Sequence, residues 1–445
     1  MRTYSRREFV GGLAAGAAAL SARSLLAAAA PAGSDFASLL AYFERTAPQL
    51  LRPAEGILRY PSIAPSLPGK EYSTSLWDWD TLWTARGLFR YARLQGGPAF
   101  RDRVAEHARG SLANFLAHQS AEGRIPIMIG VHTPDAFGST APAPAPNHKN
   151  QAKPVFAQLA LLVADETGDA AWLRPHFDGL LRFHASWRRN NLSGVGLLVW
   201  GDDVAIGNDN DPTTFGRPFF SSANLLLNTL YYQDLQAAAE LARRLGRTAD
   251  AARIGGEARA LADALLASCW DPRDRFFYTA DVQCVDRRAE LIPYKRGMDM
   301  SWHSLPLRIQ TFTGFLPLWC GMAQPEQARA LVQANYLADD RFRANWGVRS
   351  LSSLERMYCM DFSSNPSNWL GPVWIIVNYL VWRALGNYGY RREARELAGK
   401  TVRLLARDLA VNGSLNEYYQ PDTGAALSHK GFMDWNLLVL EMAGA

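Results

Sequence analysis

The chain has little cysteine and little histidine: 4 Cys and 8 His in 445 residues. Cys269, Cys284, Cys320 and Cys359 show no Cys-x-x-Cys or Cys/His spacing, and no His-x-His or His-Glu-x-x-His occurs. That excludes the usual zinc-site patterns and leaves buried free thiols as the ordinary reading of the cysteines. Long apolar runs are also missing. After the first 30 residues, none reaches the roughly 18 that a transmembrane helix needs. An excess of one charge is missing as well. The formal charge is +5, but Arg2, Arg6, Arg7 and Arg23, with Glu8, fall in the first 30 residues, and the remainder carries 43 basic against 41 acidic groups. So balanced a chain offers no electrostatic case for binding nucleic acid or an anionic membrane.

What is present is an ordinary globular composition, 48% apolar and 20% charged, with 14 Trp and 16 Tyr. The length allows a large core. Exposed aromatics stack on sugar faces, and buried ones fill cores. Ser5-Arg6-Arg7-Glu8-Phe9-Val10, a Gly/Ala run from Gly11 to Leu20 and the small-residue stretch Ala28-Ala29-Ala30 read as a twin-arginine export signal. Residues 1–30 are therefore set aside. Residues 31–445 are expected to form one domain, exported to the periplasm or beyond the cell. A small carbohydrate is the expected partner, no membrane contact is expected once the signal is removed, and the sequence fixes no oligomeric state.

Helical stretches recur in pairs, the first member apolar nearly all round and the second carrying one apolar stripe. The pairs are 81–94 with 99–118, 153–167 with 171–190, 222–245 with 248–267, 310–322 with 326–336, and 372–385 with 390–409. A last apolar helix, 430–442, is left for the opening helix 36–46 to partner. In the 391–409 stretch Ala394, Leu397, Ala398, Val402, Leu405 and Leu409 recur at three and four while Arg, Lys and Glu take the other face. Leu225, Leu226, Leu227, Leu230, Tyr231, Tyr232 and Leu235 describe a helix buried on most sides. An inner ring of buried helices wrapped by striped ones is an all-α (α/α)6 toroid. The longest loops precede the inner helices, which places a site at one end of the barrel.

Two polar islands stand out: Gly207-Asn208-Asp209-Asn210-Asp211-Pro212 and Asn416-Glu417-Tyr418-Tyr419-Gln420-Pro421-Asp422-Thr423-Gly424. Cleaving a glycosidic bond takes two carboxyl groups, one to protonate the leaving oxygen and one to activate water. The first island also reads as a plain Asx/Pro turn or as a calcium loop, and the second as a solvated surface turn. Trp77-Asp78-Trp79-Asp80 reads either as a helix start capped by Asp80 with its Trp rings in the core, or as a sugar-binding edge.

These segments resemble glycoside hydrolase family 63, especially its bacterial mannosylglycerate-hydrolase-like branch, and more distantly the trehalases. The family's Gly-x-Asp-Asn-x-Pro loop is matched by Gly207, Asp209, Asn210 and Pro212. Its Glu-x-Tyr-x-Pro-x-Thr-Gly loop is matched by Glu417, Tyr419, Pro421, Thr423 and Gly424. Trp79-Asp80-Thr81 and Trp369-Leu370-Gly371-Pro372-Val373-Trp374…Val377-Asn378-Tyr379 match two further segments. Four motifs in the expected order, spanning Trp77 to the C-terminus, make the resemblance specific.

The resemblance implies an inverting glycosidase that needs no cofactor and cleaves a small α-linked glucoside or mannoside. Asp209 would be the general acid, with Asp211 and Asp203 as alternates, and Glu417 the general base. Trp77, Trp79, Asp80, Gln119, Asn150, Gln151, Arg217, Trp302, Trp374, Asn378 and Tyr419 are the residues expected to bind the sugar. Leu370 departs from the pattern, since many relatives have Arg there. Rival readings are a trehalase-like or glucoamylase-like hydrolase on the same scaffold, a sugar-binding protein without catalysis, and a polysaccharide lyase, for which the chain lacks the Tyr/His or metal cluster.

Overall fold

The computed structural model of the chain describes residues 33–144, 146–283, 303–361 and 367–443. The helices, in chain order, are α1 (Ser34–Thr46), α2 (Asp78–Tyr91), α3 (Gly97–Ala117), α4 (Phe156–Thr167), α5 (Phe177–Asn191), α6 (Leu225–Arg244), α7 (Thr248–Cys269), α8 (Leu316–Trp319), α9 (Pro325–Leu331), α10 (Ile375–Asn387), α11 (Arg391–Asn412) and α12 (Val439–Ala443). Single 3-10 turns, Phe312–Phe315 and Trp435–Leu438, lead into α8 and α12. The expected export signal, Trp302 and Cys284 lie outside the described residues.

The inner ring closes as the periodicity requires. α2 packs on α4, α4 on α6, α6 on α8, α8 on α10, α10 on the Trp435–Leu438 turn, and that turn back on α2. In α10 nearly every residue from Ile375 to Leu385 is buried. The outer helix α11 buries only a stripe, including Ala394, Leu397, Ala398, Val402 and Leu405, and Gly413 ends it in the left-handed conformation at φ 68° with its N–H on the Leu409 carbonyl. α7 covers α6, and α11 covers α10. The fold is the expected (α/α)6 toroid.

Three details differ from the sequence expectation. Inner helices four and six are each a 3-10 turn and a few helical residues, not full helices over 310–322 and 430–442. In the fourth, Gly314 admits no side chain, since a Cβ there would lie 2.2 Å from Phe276. The opening helix α1 rests mainly on α11, with Tyr42 Oη 3.0 Å from Ser414 Oγ, rather than on the last inner helix. The five residues of α12 are too short to receive the 13 of α1. Finally, α2 begins at Asp78, three residues before the expected start, so Asp80 lies inside the first turn and does not cap it.

Small antiparallel sheets shape the loops at the site. Val373–Trp374 pairs with Tyr418–Tyr419, which pairs with Ala426–Ser428, and Ser75–Trp77 pairs with Met128–Gly130. Cys269 and Cys320 are buried free thiols and Cys359 is a half-buried one.

Candidate active site

The loop from Gly201 to Ser222 is built around Asp211. Its buried carboxylate accepts from Asn208 Nδ2 (2.5 Å), Thr213 N (2.8 Å), Thr213 Oγ1 (2.8 Å) and Asn224 Nδ2 (3.1 Å). Asn224 is also the N-cap of α6, its Oδ1 accepting from Leu226 N and Leu227 N. One side chain thus ties the loop to an inner helix. Burial raises the pKa of Asp211, and these donors oppose the rise. A carboxylate with four donors is a brace, not a proton donor to a substrate, and Asp203 is likewise used, accepting from Gly216 N at 2.7 Å. Asp209 is half-buried, two residues before the brace. Its neighbour Asn210 pins the loop to the 367–371 segment, accepting from Trp369 N (2.6 Å) and donating to Asn368 Oδ1 (3.1 Å). Gly207 runs at φ 96° with the Trp79 ring 3.1 Å from where a Cβ would stand, so this turn requires glycine.

Glu417 is 4% exposed and immediately precedes the central strand of the three-stranded sheet, its N–H on Ser428 O at 2.9 Å. Asp408, at the end of α11, anchors this loop. It accepts from Asn416 N (2.9 Å), Asn416 Nδ2 (3.0 Å), Tyr419 Oη (2.9 Å) and Asn412 Nδ2 (2.7 Å). Glu417 Oε2 is hydrogen-bonded to His429 Nδ1, and Glu417 O accepts from Trp435 Nε1 at 3.2 Å.

The two loops and the start of α2 meet in one electrostatic cluster. Burial raises the Glu417 pKa, His429 opposes the rise, and the Asp209 charge adds to it. Burial also raises Tyr72, with Glu417, Asp80 and Asp209 each adding. Asp80 is pushed up to about 7 by burial and by Asp78, and its side chain hydrogen-bonds Asp434, itself raised by burial and by Asp80. Thr84 Oγ1 donates to Asp434 at 2.8 Å. Below them Asp78 is paired with Lys153 Nζ at 3.1 Å, and the same ammonium sits 5.6 Å over the Trp79 ring. The carboxyls of the two loops and of the helix start therefore act on one another electrostatically. Two surface depressions, about 560 and 520 Å³, lie elsewhere, beside Asp165–Arg174 and Arg189–Gly194.

The expected sugar-binding residues divide. Trp77, Trp79 and Asp80 are in this cluster, Trp77 edge-on to Tyr72 at 5.6 Å and Trp79 against Trp369 and Trp435. Asn150 supports the loop that carries Asp209, donating to Asp202 O and Val204 O and accepting from Gly201 N. Gln151 is buried, its Oε1 accepting from Ser186 and its Nε2 with no partner among the described residues. Arg217 is ion-paired to Asp281 on the neighbouring strand.

Four others are structural. Trp374 is fully buried, stacked 3.9 Å from Trp369 and 4.4 Å from Tyr418, so it lies behind the site and not on its rim. Asn378 is spent on Val348 N and Thr401 Oγ1, and Tyr419 on Asp408. Gln119 binds the Gly123 and Gly179 carbonyls and accepts from Arg182.

Sequence reasoning missed Tyr72, Lys153, His429 and Asp434. No motif marks any of the four. Each acquires its place from contacts across the barrel.

A toroid of helical hairpins carrying carboxyls from two distant loops above its inner ring is the architecture of the six-hairpin glycosidases. The profile of the mannosylglycerate hydrolase MGH1-like glycoside hydrolase domain matches residues 75–433, and the chain belongs to that family. A mannosylglycerate hydrolase of Thermus thermophilus is 32% identical over 140 residues, 31% of each chain, so the match spans about a third of that relative. The crystal structure of a family 63 mannosylglycerate hydrolase of the same species, in complex with glucose, has a TM-score of 0.63 at 20% identity, covering 89% of this chain and 98% of that one. The neutral trehalase Nth1 of Saccharomyces cerevisiae has a TM-score of 0.58 at 16% identity, covering 86% and 73%. At these identities the two structures establish the fold.

Proposed function

We propose that the protein is an inverting hydrolase of a small α-linked glucoside or mannoside, a disaccharide or a glycosyl-glycerate. Asp209 protonates the glycosidic oxygen as the bond to the anomeric carbon breaks. Glu417 takes a proton from the water that attacks that carbon from the opposite face. Asp80 and the Trp77–Trp79 edge hold the sugar. The observation that carries the reading is the electrostatic coupling of Asp209 and Glu417 from loops two hundred residues apart, the one half-buried and the other 4% exposed. Burial suits both roles, because it strengthens every interaction with developing charge. Mannosylglycerate hydrolases among the relatives support a glycosyl-glycerate as one candidate substrate.

The test is a screen of the purified protein, lacking residues 1–30, against α-disaccharides and glycosyl-glycerates. Asp209→Asn and Glu417→Gln should each lower kcat on any substrate found by about two to four orders of magnitude with unchanged helical circular dichroism. Full activity in either variant would reject its assignment. The proposal extends to export: Arg6→Lys with Arg7→Lys should keep the protein in the cytoplasm on cell fractionation, and undiminished periplasmic protein would mean another route.

A further inference from the structure

The turn between the strand Ala426–Ser428 and the last inner stretch carries His429, and its geometry is specific. Its Nδ1 is bonded to Glu417 Oε2, stands 3.0 Å from Ser428 Oγ and 3.5 Å from Tyr72 Oη, and its ring lies edge-on to Tyr72 at 5.2 Å. The imidazole is held from both sides, by the base loop and by the segment before α2. Its backbone sits at φ 46°, in the left-handed region that a residue with a Cβ enters at a cost. The turn is fixed by Gly431 N on Leu415 O at 2.7 Å and Phe432 N on His429 O at 3.3 Å. Tyr72 shares the same left-handed region, at φ 66°. Two residues in the left-handed region therefore meet ring to ring, and one of them holds the Glu417 carboxylate. Strain of this kind persists only where the surroundings impose it, and it gathers at functional sites.

We propose that His429 is the positioning residue of Glu417: its Nδ1–H holds Oε2 and thereby presents the other carboxylate oxygen, Oε1, to the attacking water. This rests on reading Glu417 as the base. In the step itself the water oxygen bonds to the anomeric carbon, one water proton passes to Oε1, and the glycosidic carbon–oxygen bond breaks as the leaving oxygen takes the Asp209 proton. A carboxylate bonded through one oxygen keeps a fixed plane, and the reacting oxygen is then set without a search. His429 also opposes the burial of Glu417. A donor to the ionised form favours it, while burial and the nearby charges of Asp209 and Glu71 favour the protonated form. The imidazole in turn is raised above its usual pKa by the bond to Glu417 and by the charge of Glu71, against its own partial burial. The other ionisable neighbours are Tyr72, Asp434, whose pKa feels the Glu417 charge, Lys430 next in the chain, and Lys70, which packs on Gly431.

Two substitutions separate positioning from mere turn structure. His429→Gly removes the donor and relaxes the backbone. His429→Asn keeps an amide donor near the Nδ1 position and is a residue that tolerates φ 46°. The expected result for His429→Gly is an acidic limb of kcat/KM moved up by about one pH unit and a kcat lowered roughly ten-fold or more, with KM little changed. His429→Asn should recover most of kcat. Independently of any substrate, the imidazole titrations followed by nitrogen-15 NMR should show one histidine raised above the usual value in the wild type and lowered toward it in Glu417→Gln. Profiles of His429→Gly that superimpose on the wild type, or a histidine spectrum unmoved by Glu417→Gln, would overturn the proposal. A wild-type protein that hydrolyses no glycoside would reject the reading of Glu417 as a base, while the titration would still decide whether His429 holds that carboxylate.

Discussion

Asp211→Asn separates a structural carboxylate from a chemical one. In the folded protein Asp211 accepts four hydrogen bonds, two from Thr213 on Oδ1 and one each from Asn208 and Asn224 on Oδ2. Asparagine keeps an oxygen for Thr213 and turns an NH2 toward the two amides. Asn224 cannot reverse its own amide, because its Oδ1 caps α6 at Leu226 and Leu227. Asn208 can, since its Oδ1 is buried without a partner among the described residues, and a flip pairs it with the new NH2. The net deficit is one bond to a charged group, about 1.5–3 kcal/mol, reduced by no longer burying a charge. In urea unfolding, with a slope of about 3 kcal/mol/M, the midpoint should fall by roughly 0.5–1 M. Activity should stay within about ten-fold of wild type, because Asp209, the proposed acid, is untouched. A variant that unfolds like the wild type yet is inactive would make Asp211 the acid and refute the brace.

Asp408→Ala should lower both the unfolding midpoint and kcat, because Asn416 N and Tyr419 Oη lose their buried acceptor one residue from Glu417 and two beyond it; unchanged kcat with lowered stability would show that the loop does not need this anchor. Gly207→Ala should cost about 1–3 kcal/mol from its φ of 96° and reduce kcat by displacing the Asp209 loop from Trp79, which parallel unfolding and rate measurements would detect. Asp80 and Asp434 both have folded-state pKa values above the usual one, Asp80 at about 7 against 3.8. Their contribution to stability is whole below the unfolded value and is lost as pH rises through about 7. Melting temperature should therefore fall from pH 5 to pH 8, and Asp434→Asn should flatten that slope. A wild-type profile that rises over this range would contradict the shared-proton pair.

The fold was legible where one periodicity governed a whole helix. Stripes such as Ala394–Leu397–Val402–Leu405 report burial directly, because one face of an amphipathic helix has one destination. The fourth and sixth inner stretches were over-extended, because their apolar composition is equally that of a buried 3-10 turn. At the site the carboxyl-bearing loops were legible, since their chemistry constrains residue types locally. The destinations of buried amides were not. Asn378 serves Val348 N, thirty residues away, and Tyr419 serves Asp408. Which distant N–H or carboxylate needs a partner is decided by packing, and no local pattern carries it. Tyr72 and His429 escaped for a related reason: single residues in turns, outside any period, they are aligned only by left-handed backbone that their side chains do not announce.

Time-resolved proton NMR of the first-released sugar tests the central claim most directly. With an α-linked substrate from the screen, Glu417 acting on water from the far face gives the β-anomer first, followed by slow mutarotation, and Glu417→Gln gives no product on the same timescale. The α-anomer appearing first would mean retention through a covalent intermediate and would remove Glu417 from the role of general base.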